Sequence, residues 1–350
     1  MAITTMYMKN YQILILLLFC STISKAQDLR TSQDSIRTFF GELIQTMKDG
    51  YVYKDEVNWK DVETKLNRQL IEYSDFSSSL KEVPLLFDLT KADHSRLYYK
   101  ELQISGNFKT PSINDFSEQW AKKYKTNPGF EVKLIGDNYG YILMPGITDA
   151  NSPKSIRRLA QQMYDEINNL KSQKDVKGWI IDLRFNTGGN CEPMLLAFYD
   201  FLGDNDIWGV LGEDRRLQSM ISLNNGKYNY DGKNQGRIKP IGELLVNGKV
   251  AVIINNATGS SGEIVALAFK PRSNTILIGG PTNGKTTSNV KANLPFGAFM
   301  TLSVGLDSDR NGKYYERIIP DINITKEDNF DNLLLDANVS EAIKFISERE

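Results

Sequence analysis

The feature that most constrains the fold is a repeated alternation of short apolar runs with helical segments, beginning near residue 138. The apolar runs read YGYILMP, WIIDL, KVAVIIN and TILIG, and helices are expected at 154–173, 193–202 and 261–270. A strand–helix–strand order makes successive strands parallel, because the crossover helix returns the chain to the same end of the sheet. The sequence therefore predicts an α/β fold with a mainly parallel sheet built from βαβ units.

The residues before this alternation predict a helical N-terminal region and a connector. Apolar side chains recur at three- and four-residue spacing from residue 34 to about 100, as in Ile36, Phe39 and Leu43. Residues 101–137 are polar and irregular, and we expect one short helix around 116–124 in them.

The C-terminal residues continue the second region. Residues 298–324 predict strands paired through a turn at 309–312, and a closing helix is expected near 337–348. The expected organisation is a leader at 1–26, a helical region at 27–100, a connector at 101–137 and an α/β domain at 138–350.

The leader has the pattern of a signal peptide. An apolar run of eight residues, ILILLLFC at 13–20, follows Lys9 and precedes Ser24-Lys25-Ala26. A membrane-spanning helix needs about 20 apolar residues, so this run is too short to span. We expect cleavage after Ala26 and export to the periplasm or the medium. Because the bulky Phe19 precedes Cys20, a lipid anchor on that cysteine is not expected.

The composition excludes several classes of protein. Hydrophobic residues make up 41% and charged residues 24%, which is typical of globular chains, and the net charge of -1 gives no drive toward nucleic acid. Without the leader, Cys191 is the only cysteine and His94 the only histidine. These are too few soft ligands for a structural zinc site, so we expect no metal and no cofactor.

Three unusual loops follow three of the predicted strands. They lie at 186–190, 256–263 and 280–286. The carboxyl ends of parallel strands meet at one edge of a sheet, where ligands usually bind. The topology alone therefore predicts that these loops come together.

Ser260 and Lys285 are the candidate nucleophile and base in these loops. Ser260 would begin the helix at 261–270, where free N–H groups and the helix dipole favour an oxyanion, although a serine there can also be a simple N-cap. A buried lysine of lowered pKa can activate a serine, but Lys285 taken alone can equally be a solvated loop residue.

Residues 279–286 also match a phosphate-binding pattern. They read GGPTNGKT after a predicted strand, as in G-x-x-x-x-G-K-T. A nucleotide loop needs a helix beginning at its Lys-Thr pair, whereas 287–297 contains Asn289, Pro295 and Gly297 and does not predict one. We therefore reject nucleotide binding.

Five further residues are candidates for a chemical or packing role. Gly188 and Gly189 allow backbone amides to approach a substrate closely, although they can also simply make a tight turn. His94 is the only imidazole available for proton transfer near neutral pH, Glu316 can be an ordinary surface acid, and Cys191 lacks a partner and is expected to pack.

Taken together, the loops resemble the tail-specific, or C-terminal-processing, serine protease family, which includes the tricorn protease and the retinoid-binding interphotoreceptor repeats. The similar segments are 182–189 (DLRFNTGG), 255–263 (NNATGSSGE), 278–285 (IGGPTNGK) and 319–322 (IPDI). The resemblance spans about 138–325 in the family's order. It implies a crotonase/Clp-protease-like core and a peptide or protein substrate.

The family has two catalytic solutions, and the sequence resembles both. Asp93-His94-Ser95 is similar to the base segment of the tricorn-like branch, in which a late glutamate, here Glu316, completes the site. Lys285 instead matches the base of the Ser–Lys branch, so the base stays open between His94 and Lys285. Gly280 replaces the family's glutamate, and residues 101–135 are too short for the PDZ module that many members insert.

The resemblance implies acyl transfer by a serine peptidase. Ser260 would attack a peptide carbonyl, and the amides of Gly188 or Gly189 and of Ser261 would hold the oxyanion. The alternative is a catalytically silent relative that binds peptides or apolar ligands.

Overall fold

A computed structural model describes residues 32–148, 150 and 152–348, so the leader at 1–26 lies outside the described residues. The chain divides into two compact units. The first unit consists of the chain up to Phe108 together with Val290–Leu302. The second consists of Lys109–Asn289 and Ser303–Glu350.

The first unit is mainly helical, which agrees with the sequence pattern. Its helices are α1 (Ser32–Gly50), α2 (Trp59–Leu70), α3 (Phe76–Ser79) and α4 (Val83–Thr90), with 3-10 turns at Lys54–Glu56, Leu80–Glu82 and Pro295–Gly297. The periodic residues of α1, including Ile36, Phe39 and Leu43, have no exposed surface. The expected helix is therefore confirmed, because its apolar stripe is the face that packs.

Two short strands complete the first unit, and the sequence pattern missed them. Strand β1 (Arg96–Tyr99) pairs antiparallel with β2 (Leu102–Ile104) on one side and with residues 299–301 on the other. The pairing with 299–301 joins segments about two hundred residues apart, which no local periodicity can indicate.

The second unit contains the predicted α/β core. Its strands, in chain order, are β3 (Glu131–Ile135), β4 (Tyr139–Leu143), β5 (Gly178–Asp182), β6 (Asn205–Leu211), β7 (Leu217–Asn224), β8 (Lys227–Tyr230), β9 (Lys233–Arg237), β10 (Val250–Ile254), β11 (Thr275–Gly279), β12 (Thr287–Asn293), β13 (Phe299–Asp309) and β14 (Ile322–Asn323), of which β12 and β13 extend into the first unit. Its helices are α5 (Glu118–Tyr124), α6 (Pro153–Gln173), α7 (Cys191–Ala197), α8 (Tyr199–Leu202), α9 (Ser261–Phe269) and α10 (Ala337–Ser347), with 3-10 turns at Ile113–Asp115 and Leu333–Leu335.

Six strands form the mainly parallel sheet in the order β14-β11-β10-β5-β4-β3. All neighbouring pairs are parallel except β3 and β4. Side chains of β5 alternate between two cores, since Trp179 and Ile181 face one cluster and Ile180 faces the other. Helices α6, α7 and α9 contribute to the first cluster and α10 to the second. Both faces are covered, as a parallel sheet requires, and the predicted fold class is confirmed.

A second set of strands is antiparallel. Strands β6, β7, β8 and β9 pair in sequence, and residues 306–309 of β13 pair with β6. The expected turn at 309–312 is present, with Gly312 N donating to Asp309 O at 2.9 Å. The strand expected after that turn is reduced to one bridge between Ser308 and Tyr314.

Two other expectations need correction. The residues expected to form a connector, 101–137, include β3, which is the antiparallel edge strand of the parallel sheet. The short helix expected in this segment is present as α5. The helix expected at 193–202 is two helices, α7 and α8, separated at Phe198, where ψ is 15°. Strand β3, with the sequence EVKLI, lies at the sheet edge and buries only Ile135, so its sequence gives a weak strand pattern.

Candidate active site

The three loops predicted to converge do meet at the carboxyl edge of the parallel sheet. Thr258 Oγ1 donates to Leu183 O at 2.9 Å, and Gly259 N donates to Asn186 O at 3.0 Å. The third loop joins them, because Asn283 N donates to Thr258 O at 2.8 Å. The expectation derived from strand order is therefore confirmed by direct hydrogen bonds.

Ser260 occupies a strained turn between β10 and α9. Its φ of 53° and ψ of -119° lie outside the regions that non-glycine residues prefer. Such a conformation costs about 1–3 kcal/mol and persists only when its surroundings hold it. The Ser260 carbonyl accepts hydrogen bonds from Glu263 N at 2.8 Å and Ile264 N at 3.1 Å, which fixes the turn to the first turn of the helix.

Gly188 lies directly against Ser260. A Cβ placed on Gly188 would come within 2.9 Å of Ser260 Cβ and 3.4 Å of Ser260 Oγ, and the φ of Gly188 is 116°. Only glycine accommodates both the contact and the dihedral angle. The glycine loop and the nucleophile candidate are thus brought together as the sequence analysis expected.

The three predicted oxyanion donors differ in their surroundings. Gly188 N already donates to Asn186 Oδ1 at 3.2 Å. Ser261 is the first residue of α9, where an amide has no acceptor within the helix. The Ser261 hydroxyl donates to Gly189 O, which ties the helix start to the glycine loop. The Ser261 amide therefore fits the role better than the Gly188 amide.

Glu263 organises this edge, and its role was missed in the sequence. The side chain has no exposed surface, and its two oxygens accept four hydrogen bonds. The donors are Ser260 N at 2.9 Å, Thr282 Oγ1 at 2.6 Å, Gly284 N at 2.8 Å and Lys285 N at 2.8 Å. Burial raises the pKa of Glu263, while these donors act in the opposite direction. The Ser-x-x-Glu spacing of a capping box was the available signal.

Lys285 is half-buried and follows Gly284, whose φ is 88°. Strand β12 begins at Thr287, two residues after Lys285, so the segment after the lysine is a strand. A phosphate-binding loop requires a helix at that position. The rejection of nucleotide binding on the basis of helix propensity is consistent with this strand.

Glu316 lies beside the loop that carries Lys285, but its side chain is exposed. Its backbone carbonyl accepts a hydrogen bond from Thr286 Oγ1 at 3.2 Å. A Cβ on Gly284 would lie 3.2 Å from the same carbonyl oxygen. The backbone of Glu316 is therefore at this edge of the second unit.

His94 belongs to the first unit, unlike the other candidates. It is half-buried in the turn between α4 and β1. The turn begins at Lys91, which has a φ of 56° and ends α4, and it is closed by Ser95 N donating to Ala92 O at 3.2 Å. Local hydrogen bonds thus fix the backbone on both sides of the imidazole.

Cys191 packs at the start of α7, as expected. Its Sγ lies 3.7 Å from the hydroxyl oxygen of Tyr228, and burial raises the pKa of the thiol to about 12. A thiol with so high a pKa is protonated at neutral pH and is a poor nucleophile.

The charged residues of the DLR segment have a structural role. Arg184 is buried and donates to Asp182 at 2.6–3.1 Å, to Asp328 Oδ1 at 2.5 Å and to Asp336 Oδ2 at 2.7 Å. The neighbouring carboxylates keep the pKa of Arg184 well above its ordinary value despite burial. Because Asp336 also caps α10 through Val339 N, Arg184 fixes the C-terminal segment to the end of β5.

Among the described residues, no group of three or more His, Cys, Asp and Glu side chains is arranged to hold a metal ion.

Residues 138–324 match the model of peptidase family S41, which covers more than half of the chain. The chain belongs to peptidase family S41. The match begins just before β4 and ends just after β14, so it includes all three loops. The resemblance found in the sequence motifs is confirmed.

Two curated relatives are similar to this chain. The chain is 26% identical over 287 residues to the nisin-resistance protein of Lactococcus lactis subsp. lactis, covering 80% of each chain. It is 28% identical over 162 residues to the carboxy-terminal processing protease CtpA of Bacillus subtilis (strain 168), covering 45% of this chain and 30% of that protein. The likeness to the nisin-resistance protein thus extends well beyond the family core.

Two solved structures share the fold over nearly the whole chain. A lipoprotein from Streptococcus agalactiae has a TM-score of 0.67 at 20% identity, and a protein from Parabacteroides merdae has a TM-score of 0.60 at 17% identity. Each comparison covers 92% of this chain and 98% of the other. Within the part of this chain that the structure describes, no helix has the length and apolarity needed to cross a membrane.

Proposed function

We propose that this chain is an exported serine peptidase that hydrolyses peptide bonds through an acyl-enzyme. The observation that carries the proposal is the strained Ser260 at the start of α9, held against Gly188. A sharp strand-to-helix turn presents the serine hydroxyl, and the helix start offers an amide to a developing oxyanion. Membership of a peptidase family supports the same reaction class.

In the proposed reaction Ser260 Oγ forms a bond to the substrate carbonyl carbon and transfers its proton to a base. The base is His94, with Glu316 as the accompanying acid, or Lys285. The tetrahedral oxyanion is held by the amide of Ser261 with that of Gly189, since Gly188 N donates to Asn186. The carbon–nitrogen bond then breaks, the leaving amine takes the proton, and water hydrolyses the ester.

Glu263 acts in this proposal as a positioning residue. Its carboxylate accepts from the amides of Ser260 and Lys285, so it fixes the backbone on which two candidate reacting groups are carried. The strain at Ser260 is tolerated because this buried acceptor holds the turn.

Export is proposed from the leader, with cleavage after Ala26. The pattern of one positive charge, eight apolar residues and small residues before the cut supports it. N-terminal sequencing of the protein secreted from the full-length chain tests this, and a mature protein that still begins at residue 1 would contradict it.

The test of function is cleavage of casein, an unstructured protein, by the chain from Gln27 at pH 6–10. Ser260→Ala is expected to abolish cleavage, and either His94→Ala or Lys285→Ala, but not both, should do the same. A folded wild-type protein that leaves casein intact would refute this proposal in favour of a silent binding protein.

A further inference from the structure

Two cavities flank the candidate reaction centre along the carboxyl edge of the parallel sheet. Ser260 follows β10 and the glycine loop follows β5, so both lie near the middle of the strand order. A cavity of about 220 Å³ adjoins the ends of β10 and β11, at one side of this centre. A cavity of about 520 Å³ adjoins the end of β4 and the residues before β3, at the other side.

The larger cavity, here named the Met163 cavity, has an apolar floor. The floor consists of Phe130, Ile147, Leu159, Met163 and Phe185. Met163 and Phe185 are each 4% exposed and Ile147 is 9% exposed, whereas Leu159 and Phe130 are half-buried. Its volume falls within the roughly 300–1,000 Å³ typical of ligand pockets.

The rim of the Met163 cavity is polar. Gln162, Glu166 and Thr187 are exposed, and Gln162 Nε2 donates to Glu166 Oε1 at 3.2 Å. An apolar floor with a few polar groups at the mouth is the usual construction of a binding pocket. The carboxylate at the rim disfavours negatively charged occupants.

The smaller cavity has a different character. Arg184 and Asp328 in its wall are paired with each other, and Arg317 donates to Thr282 O and to Asn256 Oδ1. Its lining is therefore rich in charged and amide groups. Of the two cavities, the Met163 cavity is the larger.

The Met163 cavity adjoins the glycine loop that lies against Ser260. Thr187, at its rim, immediately precedes Gly188. Ile147, in its floor, donates its amide to Gly188 O at 3.2 Å. Gly146, also in its wall, approaches the same oxygen so closely that a Cβ there would lie 2.5 Å from it.

We propose that the Met163 cavity receives one large apolar or aromatic side chain of the substrate, close to the cleaved bond, and that Glu166 excludes acidic side chains there. This rests on the proposed peptidase function. Ser260 follows β10, which is two strand positions from β4 and so about 10 Å from it at about 4.8 Å per strand, and an extended peptide rises about 3.3 Å per residue. The selected side chain therefore belongs to a residue within about three positions of the cleaved bond.

The experiment maps every cut that the chain from Gln27 makes in casein by mass spectrometry. For the wild type we expect one position near the cut to be enriched in Phe, Leu, Met or Tyr and depleted in Asp and Glu. Leu159→Trp fills the cavity and should shift that position toward small residues by at least about tenfold, the scale at which apolar pockets discriminate by size. Phe130→Ala should relax the preference, and Glu166→Gln should admit acidic residues.

Ile241→Trp is the matched control, because Ile241 is 71% exposed and lies outside the cavity lining. It should leave all preferences unchanged. If Leu159→Trp fails to fold, as judged by its melting curve, the cleavage preferences of Phe130→Ala and Glu166→Gln test the inference instead. Unchanged preferences in the folded variants would overturn the inference alone, whereas the absence of any Ser260-dependent cut would overturn the proposed function as well.

Discussion

Ser260 and Lys285 donate their backbone amides to the same atom, Oε2 of Glu263, at 2.9 and 2.8 Å. The distance between the two amide nitrogens therefore cannot exceed the summed lengths of these two hydrogen bonds. Residues separated by twenty-four others in the chain are held together by one buried carboxylate. A serine and a lysine of this edge share a backbone anchor, whichever residue serves as the base.

Replacing Glu263 by Ala should destabilise the protein more than most surface changes do. The substitution leaves four donors without their acceptor, and each buried unsatisfied group costs about 1–3 kcal/mol. We expect the free energy of unfolding, measured by urea denaturation, to fall by at least about 3 kcal/mol. Glu243→Ala, at an exposed position, is the control and should change it by less than about 0.5 kcal/mol.

Replacing Gly188 by Ala should reduce turnover far more than stability. The new Cβ would lie 2.9 Å from Ser260 Cβ and displace the serine, and misplacement by about 1 Å can cost about 100-fold in rate. Gly232→Ala is the comparison, since Gly232 also has a positive φ, of 75°, but nothing within 4 Å. Casein cleavage and melting temperature are measured for both; equal losses of activity in the two variants would show that backbone strain alone is responsible.

Asp307 should make stability fall as pH rises. The side chain is buried, accepts from Ser288 Oγ at 2.5 Å, and has no partner for Oδ2 among the described residues. Burial raises the pKa of Asp307 from 3.8 to about 7, and the nearby Glu263 acts in the same direction. The folded state thus binds more protons than the unfolded chain, and the stabilisation is lost as pH rises through 7.

The corresponding variant is Asp307→Asn, which keeps the shape of the neutral acid. Between pH 5 and pH 8 the wild type should lose about 3 kcal/mol more unfolding free energy than this variant. Urea denaturation at both pH values measures the difference, and Asp175→Asn, at an exposed position, should follow the wild type. Parallel pH curves for the wild type and Asp307→Asn would mean that Asp307 is ionised throughout.

Arg184→Ala should release the segment that carries Asp328 and Asp336. Removing one partner of a buried ionic cluster costs about 3–5 kcal/mol, because the remaining charges stay buried without compensation. Arg184→Lys should destabilise the protein similarly, since the ammonium group of lysine cannot reproduce the planar arrangement of donors in the guanidinium.

Urea denaturation and amide hydrogen exchange at 328–336 measure both effects of the Arg184 variants. Arg216→Ala, which loses only an exposed pair with Asp214, is the control and should be nearly neutral. Exchange at 328–336 that stays as slow as in the wild type would argue against this role of Arg184.

Strand order was the most informative part of the sequence. The short apolar runs predict the parallel sheet. The parallel sheet in turn predicts that the three loops meet, because the carboxyl ends of parallel strands lie at one edge. The conformational freedom of glycine predicts a special role for Gly188, and its φ of 116° and its contact with Ser260 require that freedom. These features depend on local sequence and simple topology.

Other features depend on contacts that local sequence does not encode. Glu263 is visible in the sequence only as part of a motif, since three of its four donors come from the separate loop at 280–286. Strand β12 reads TSNVKAN, without apolar alternation, and was not expected. The pairing of β1 with residues 299–301 and the ion cluster around Arg184 likewise join distant segments.

The pairing of Leu97 with Met300 has a consequence for how the protein is made. At a synthesis rate of about 5–20 residues per second, residue 300 emerges about 10–40 s after residue 97. During that interval β1 has no partner on its second edge, and the first unit is incomplete. The N-terminal unit of this chain therefore closes only after most of the second unit has been synthesised.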